Sequence, residues 1–528
     1  MKDHEYRRHD GLGLAALIRS GEVSREEVVE AACTAIDLDN PQLGAVVRRR
    51  YERGRAEAAE VEPRSPFAGV PFLTKDLLMG LADEPLSFGS AALADWCPAA
   101  DATLVKRFRQ AGLVILGQSG CPELGLMGIT EPKAFPHPAN PWGRDYSPGG
   151  SSGGAAAAVA AGLVPLAGAG DGGGSIRIPA SQCGLFGLKP SRGRVPLGPA
   201  HGEVWQGAVV EHALTRSVRD SAALLDATNG MDEGGPYPVR HESGFLAALE
   251  RAPEPLTIAV SLGEPLGTPL GATLHPEVRK ALEVAARRCE ALGHHVEWCD
   301  PPVDGGALAH SYLTLYLGHL SADLAWVAEQ TGIRESRLAI EPATRAIARL
   351  GRHLKACDYE LAKRHWNTLG RAMGAFHRRF DLLLMPVLSA PPPRRGSLYP
   401  SRWREALMRL LALPGASALA LKAGGLDALA QESLRYSPFT QLANLTGQPA
   451  MSLPLHITPQ GLPVGVQCLG PMGSERRLLQ FAAQLEREVN WAARLPLEVR
   501  REPRPEVDSA RAGSFRPESK VRREPHSG

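Results

Sequence analysis

Two serines stand in glycine-rich turns, Ser151 in GGSSGG and Ser175 in GDGGGSIR. A serine hydroxyl becomes a nucleophile once a neighbouring base takes its proton. Flanking glycines remove bulk, so a substrate can approach the backbone, and they let successive N–H groups converge on one point. At Gly172, Gly173, Gly174 and Ser175 that convergence would form an oxyanion hole, which stabilises charge developing on a carbonyl oxygen under attack. The third group is Lys75, which follows the apolar run GVPFLT in a chain with only ten lysines. Taken alone, it reads as a lysine paired with Asp76 or another carboxylate. Beside two serines it reads as a base, because burial can strip a lysine of its charge.

Other readings of the same residues compete. A glycine-rich loop is often only a tight turn or a packing contact. A phosphate-binding loop is disfavoured, since neither G-x-x-x-x-G-K-[ST] nor a strand-borne G-x-G-x-x-G with a distant acidic partner occurs. Residues 149–153, GGSSG, fit the nucleophile-elbow pattern G-x-S-x-G. An elbow needs an apolar strand before it, whereas the preceding NPWGRDYSP has turn composition.

Several elements must position these groups. Residues 12–60 read as helices, with Ser24 and Glu27 forming a capping box. Residues 69–74 form a buried strand ending at Lys75. A helix over 102–111 closes at Gly112, and LVILG at 113–117 is a β-branched strand. Beyond the Gly/Ala/Ser-rich stretch 147–187, Ser217 caps a helix, 257–261 is a strand, 275–292 a helix and 294–299 a strand. Residues 305–380 are mainly helical and 381–386 a strand. Residues 400–435 read as a helical insertion, 449–455 and 463–468 as strands, and Ser474 as the cap of a helix to about 488. Alternating strands and helices with apolar strands predict an α/β protein whose mixed, mostly parallel central sheet is covered by helices. A single large domain over 1–497 is expected, followed by a charged, Pro/Ser/Gly-containing tail over 498–528 that reads as disordered.

Composition narrows the partners. With 59 Lys+Arg against 57 Asp+Glu, the net charge of +2 gives no basic face for nucleic acid. Eight scattered cysteines form no C-x-x-C pair and read as reduced thiols of a cytoplasmic protein. The most apolar run, 154–170, is Ala/Gly-rich and broken by Pro165, so it reads as close packing and not as a membrane span.

Together these segments resemble the amidase signature family. The resemblance rests on GVPFLTKDLL, LGQSGCPELG, TEPKAFPHPANPW, and the stretch from PGGSSGG through GSIRIPASQCGLFGLKPSRGRVP, with FTQLANLTGQPAMSLPL and GLPVGVQCLGP near the C-terminus. It covers about residues 12–230 and 436–488. It implies a Ser–Ser–Lys triad with Ser175 as nucleophile, Ser151 as a bridging serine with a cis peptide bond, and Lys75 as the final base. The 24-residue step between the serines matches the family pattern. Asp171 and Arg177 read as holding the loop. Two departures occur: the family's common TDTGGS is GDGGGS here, and Ala155 stands where serine is common after SSGG.

The implied activity is amidase: cleavage of a linear carboxylic amide through an acyl-enzyme, without metal or organic cofactor. The pattern is most like stand-alone bacterial amidases, whose substrates are aliphatic or aryl amides or the cyclic nylon-oligomer amide. Met127 and Ile129 are the expected substrate contacts. Tyr312, Leu313 and Tyr316 share a helical face and read first as core. The partner is a small-molecule amide, with neither nucleic acid nor membrane, and homodimers are common among relatives. Two alternatives stay open: the glutaminase A subunit of a tRNA-dependent amidotransferase, and a non-catalytic scaffold with the same fold.

Overall fold

The computed structural model describes residues 1–399, 401–411, 415–418 and 425–496. Eleven strands form one sheet: β1 (Val46–Arg49), β2 (Val70–Lys75), β3 (Leu113–Ser119), β4 (Leu166–Asp171), β5 (Phe186–Lys189), β6 (Val210–Thr215), β7 (Thr257–Val260), β8 (His295–Trp298), β9 (Leu382–Pro386), β10 (Ala450–Ile457) and β11 (Pro463–Leu469). Their order is β1-β3-β2-β4-β6-β5-β10-β11-β9-β7-β8. The sheet is mixed, as expected, but the expected parallel majority is corrected. Of the ten pairings among described residues, six are antiparallel and four parallel. Parallel pairing is confined to β3-β2-β4 and β9-β7-β8. Between them, β6, β5, β10 and β11 run antiparallel to their neighbours, which apolar composition alone does not reveal.

Several of the expected helices form. The Ser24–Glu27 capping box opens the helix Arg25–Leu43, and Ser217 accepts from Asp220 N at the start of Val218–Thr228. Ser474 occupies the N-cap position of Glu475–Val489, yet its hydroxyl donates to the Pro471 carbonyl and makes no cap bond. The helical stretch after 305 resolves into Gly305–Thr331, Pro342–Gly351 and Ala356–Phe376. The Ala-rich run becomes the wholly buried helix Gly153–Ala160 followed by the buried strand β4. No helix among the described residues is long and apolar enough to cross a membrane. Within the segment read as an insertion, the described parts include helices Arg402–Leu411 and Gly425–Leu434. The tail over 498–528 lies outside the described residues.

The sequence reading missed β1, β4, β5 and β6. Three of these are central. β4 reads LAGAGD, with no β-branched residue, and β6 carries Glu211 and His212 at buried positions. β2 and β4 are parallel neighbours, so Lys75 and Asp171 end two strands at the same edge of the sheet. The crevice beyond the carboxyl ends of parallel strands is where α/β sheets place ligands.

Candidate active site

All six residues of β2 are buried, and Lys75 at its end is 1 % exposed. Its Nζ donates to Ser151 Oγ at 2.8 Å. Asp76, the alternative partner, is engaged elsewhere: its carboxylate accepts from Ser87 N at 2.7 Å and from the Ser87 hydroxyl. Burial pushes the Lys75 ammonium below its ordinary range, and nearby Cys121, Glu211 and Asp171 offset this only in part.

Ser151 follows a cis Gly150–Ser151 peptide and precedes the helix Gly153–Ala160. Thr130 fixes this turn by donating to Gly149 O at 2.8 Å and accepting from Gly153 N at 3.1 Å. No strand leads into the turn, so the elbow geometry is not built here.

Ser175 stands in the loop from β4 to the helix Arg177–Cys183. Asp171 shapes that loop. Its carboxylate accepts from Gly174 N at 2.7 Å, Ile176 N at 3.2 Å, and Arg177 Nε and Nη2, each at 2.9 Å. Both side chains of this ion pair are fully buried. Burial alone would push the Asp171 carboxyl up, but the Arg177 guanidinium overcomes that and holds it well below the usual carboxylate range. A second clamp comes from the C-terminal part of the chain. Thr440 Oγ1 donates to Gly173 O at 2.5 Å, while Asn444 Nδ2 donates to Asp171 O at 3.0 Å and accepts Arg177 Nη2 through Oδ1 at 2.7 Å. The sequence analysis did not single out Thr440 or Asn444, because two polar residues around a short apolar helix carry no local signature.

One expected oxyanion donor is corrected. The Gly174 N–H is spent on Asp171 and does not face a substrate. The N–H groups of Gly172, Gly173 and Ser175 make no hydrogen bond to a described group.

Lys75, Ser151 and Ser175 all border one cavity of about 520 Å³, within the range of small-molecule sites. Met127 and Ile129 line it. So do Tyr312, Leu313 and Tyr316, which the sequence reading assigned to the core. They are buried core residues and cavity wall at once, at 8 %, 2 % and 9 % exposure. The same helix adds His319, Asp323 and Trp326 to the lining. Trp205 stacks edge-on against Tyr316, with ring centroids 5.3 Å apart. Met408 and Leu429, from the helices Arg402–Leu411 and Gly425–Leu434, also border the cavity.

Known proteins resemble this chain over most of its length. The Amidase family model matches residues 27–479. The chain is 36 % identical over 501 residues to 6-aminohexanoate-cyclic-dimer hydrolase of Pseudomonas sp. (strain NK87), covering 92 % of this chain and 96 % of that protein. The solved structure of a 6-aminohexanoate cyclic dimer hydrolase superposes with a TM-score of 0.82 at 33 % identity, covering 93 % of this chain and 99 % of that one. A bacterial aryl acylamidase superposes with a TM-score of 0.78 at 28 % identity, over 93 % and 99 % of the two chains. With the family model spanning most of its length, this chain belongs to the amidase signature family of amide hydrolases.

Proposed function

We propose that the protein hydrolyses a carboxylic amide with Ser175 as nucleophile and Ser151 and Lys75 as its proton relay. The observation that carries this reading is the 2.8 Å bond from Lys75 Nζ to Ser151 Oγ, two residues that border the same cavity as Ser175. Neutral Lys75 takes a proton from Ser151 as Ser151 takes one from Ser175. Ser175 Oγ attacks the amide carbonyl carbon. The N–H groups of Gly172, Gly173 and Ser175 receive the oxyanion. The relay returns the proton to the departing amine, leaving an ester on Ser175. A water molecule, deprotonated through the same relay, then releases the acid.

The aromatic and aliphatic walls favour amides with apolar flanks. The volume admits compounds larger than simple aliphatic amides, so the expected preference for linear amides is set against cyclic ones in the same assay. The test needs no known substrate. A fluorophosphonate serine probe is reacted with the purified protein, and the labelled residue is mapped by peptide mass spectrometry. Label on Ser175, lost in Lys75→Ala, supports the relay and leads to a screen of linear and cyclic amides. Label on Ser151, or full labelling in Lys75→Ala, refutes it.

A further inference from the structure

Glu211 lies on β6 directly across from Gly170 of β4. Its side chain is 2 % exposed and borders the cavity with Lys75 and Ser151, and neither carboxyl oxygen has a hydrogen-bond partner among the described residues. Glycine at 170 makes the room. A β-carbon there would stand 2.0 Å from Glu211 Oε1, so the carboxyl group would have to swing aside. The family's common threonine at this place is therefore incompatible with Glu211 where it stands. Buried carboxyl groups are almost always hydrogen-bonded, so an unpartnered one at a reacting centre calls for a reason.

The reason lies in the relay. Each attack by Ser175 delivers a proton to Lys75, where 1 % exposure keeps water from sharing the new charge. Three titratable groups act on that lysine: Cys121 beyond the end of β3, Asp171 at the end of β4 and Glu211 on β6. Burial pushes the Cys121 thiol far up, so it stays neutral. Asp171 is committed to Arg177 and Asn444. Only Glu211 has oxygens free to answer an ammonium ion. Burial pushes its carboxyl up to about 8, with Lys75 drawing it down and Asp171 pushing it further up.

We propose that Glu211 is a positioning residue for the relay, its carboxylate bordering the cavity and serving as the counter-charge that holds the proton on Lys75 while the acyl-enzyme forms. This rests on the reading of Lys75 as the relay base. In the fully deprotonated pair, the proton leaving Ser175 turns neutral Lys75 and the Glu211 carboxylate into an ammonium–carboxylate pair. When the amine departs, that proton leaves with it through Ser151 and the pair returns to its starting form. The two groups titrate as a unit, and the carboxylate keeps the lysine protonated to higher pH than burial alone would.

The test is the rate of Ser175 labelling by a fluorophosphonate probe from pH 5 to pH 10. Glu211→Gln is expected to move the acid limb to lower pH by about one unit, because the counter-charge is gone, and to lower the plateau rate by about tenfold. Glu211→Asp keeps the charge and should keep the wild-type limb. Gly170→Ala, whose methyl group displaces Glu211, should move the limb as Glu211→Gln does, and it carries the test if the glutamine variant does not fold. A Glu211→Gln limb superimposed on the wild type, or an equal shift in Glu211→Asp, overturns the proposal while leaving the hydrolase reading intact. A wild-type protein unlabelled at every pH overturns both.

Discussion

Replacing Asp171 with asparagine separates the charge that holds the nucleophile loop from the shape that fills it. Arg177 is fully buried and has four acceptor groups. The Thr440 carbonyl and the side chains of Gln467 and Asn444 are neutral, and only Asp171 carries charge. Asparagine keeps the volume and one acceptor oxygen but leaves the guanidinium uncompensated. Breaking a buried pair on one side costs about 3–5 kcal/mol, and we expect a loss in that range from urea unfolding at pH 7. The sign with pH follows from the depressed Asp171 carboxyl. Its contribution is complete above the unfolded value of about 3.9 and fades as pH falls towards the folded one. The deficit of the variant should therefore be flat from about pH 5 to pH 8 and narrow below about pH 4.

The same substitution acts on function, because Asp171 draws in the N–H groups of Gly174 and Ile176 on either side of Ser175. A misplacement of about 1 Å at a reacting atom costs on the order of 10²-fold in rate, so fluorophosphonate labelling of Ser175 should slow by that factor. A stability loss below about 1 kcal/mol, or labelling at the wild-type rate, would refute the account of this ion pair as the frame of the loop.

Three further outcomes are expected. In Gly173→Ala the new methyl carbon would stand 2.3 Å from Tyr312 Oη, so labelling of Ser175 should drop by about 10²-fold and recover in part when Tyr312→Phe is added; wild-type labelling in the single variant would show that the loop does not rest against Tyr312. Lys75→Met removes a group that must shed its proton to be buried, since burial depresses its folded value below the unfolded one of about 10.4. Stability at pH 7 should rise by about 1 kcal/mol and labelling fall about 10²–10⁴-fold. The stability gap should close towards pH 10, and an unchanged gap would count against the buried neutral lysine. Tyr316→Ala removes one wall of the cavity and the edge-on contact with Trp205. In a graded amide series, kcat/KM should shift towards bulkier acyl groups, and an unchanged ranking would place the acyl group elsewhere.

The sequence was easiest to read where side chains pack against side chains. β2, β3, β7 and β9 are apolar runs bounded by turn residues, and each was placed within a residue or two. It was hardest to read at β4 and β6, and the cause there is chemical. A strand that brings its backbone against buried polar groups must give up its β-carbons, so β4 is built of glycine and alanine and loses the composition that marks strands. Lys75, Ser151 and Ser175 were legible because glycine turns and a lysine after an apolar run are local signals. Which N–H groups face a substrate was not, because spacing cannot say that Asp171 takes the one on Gly174. Nor was Glu211, since a lone glutamate in VEHALT looks like an ordinary solvent-facing charge. Only the pairing of β4 with β6 makes the glycine at 170 and the acid at 211 a single feature. The glycine at 170 is the space for one buried carboxyl group, so this part of the departure from the family's common loop and the orphan acid have one physical explanation.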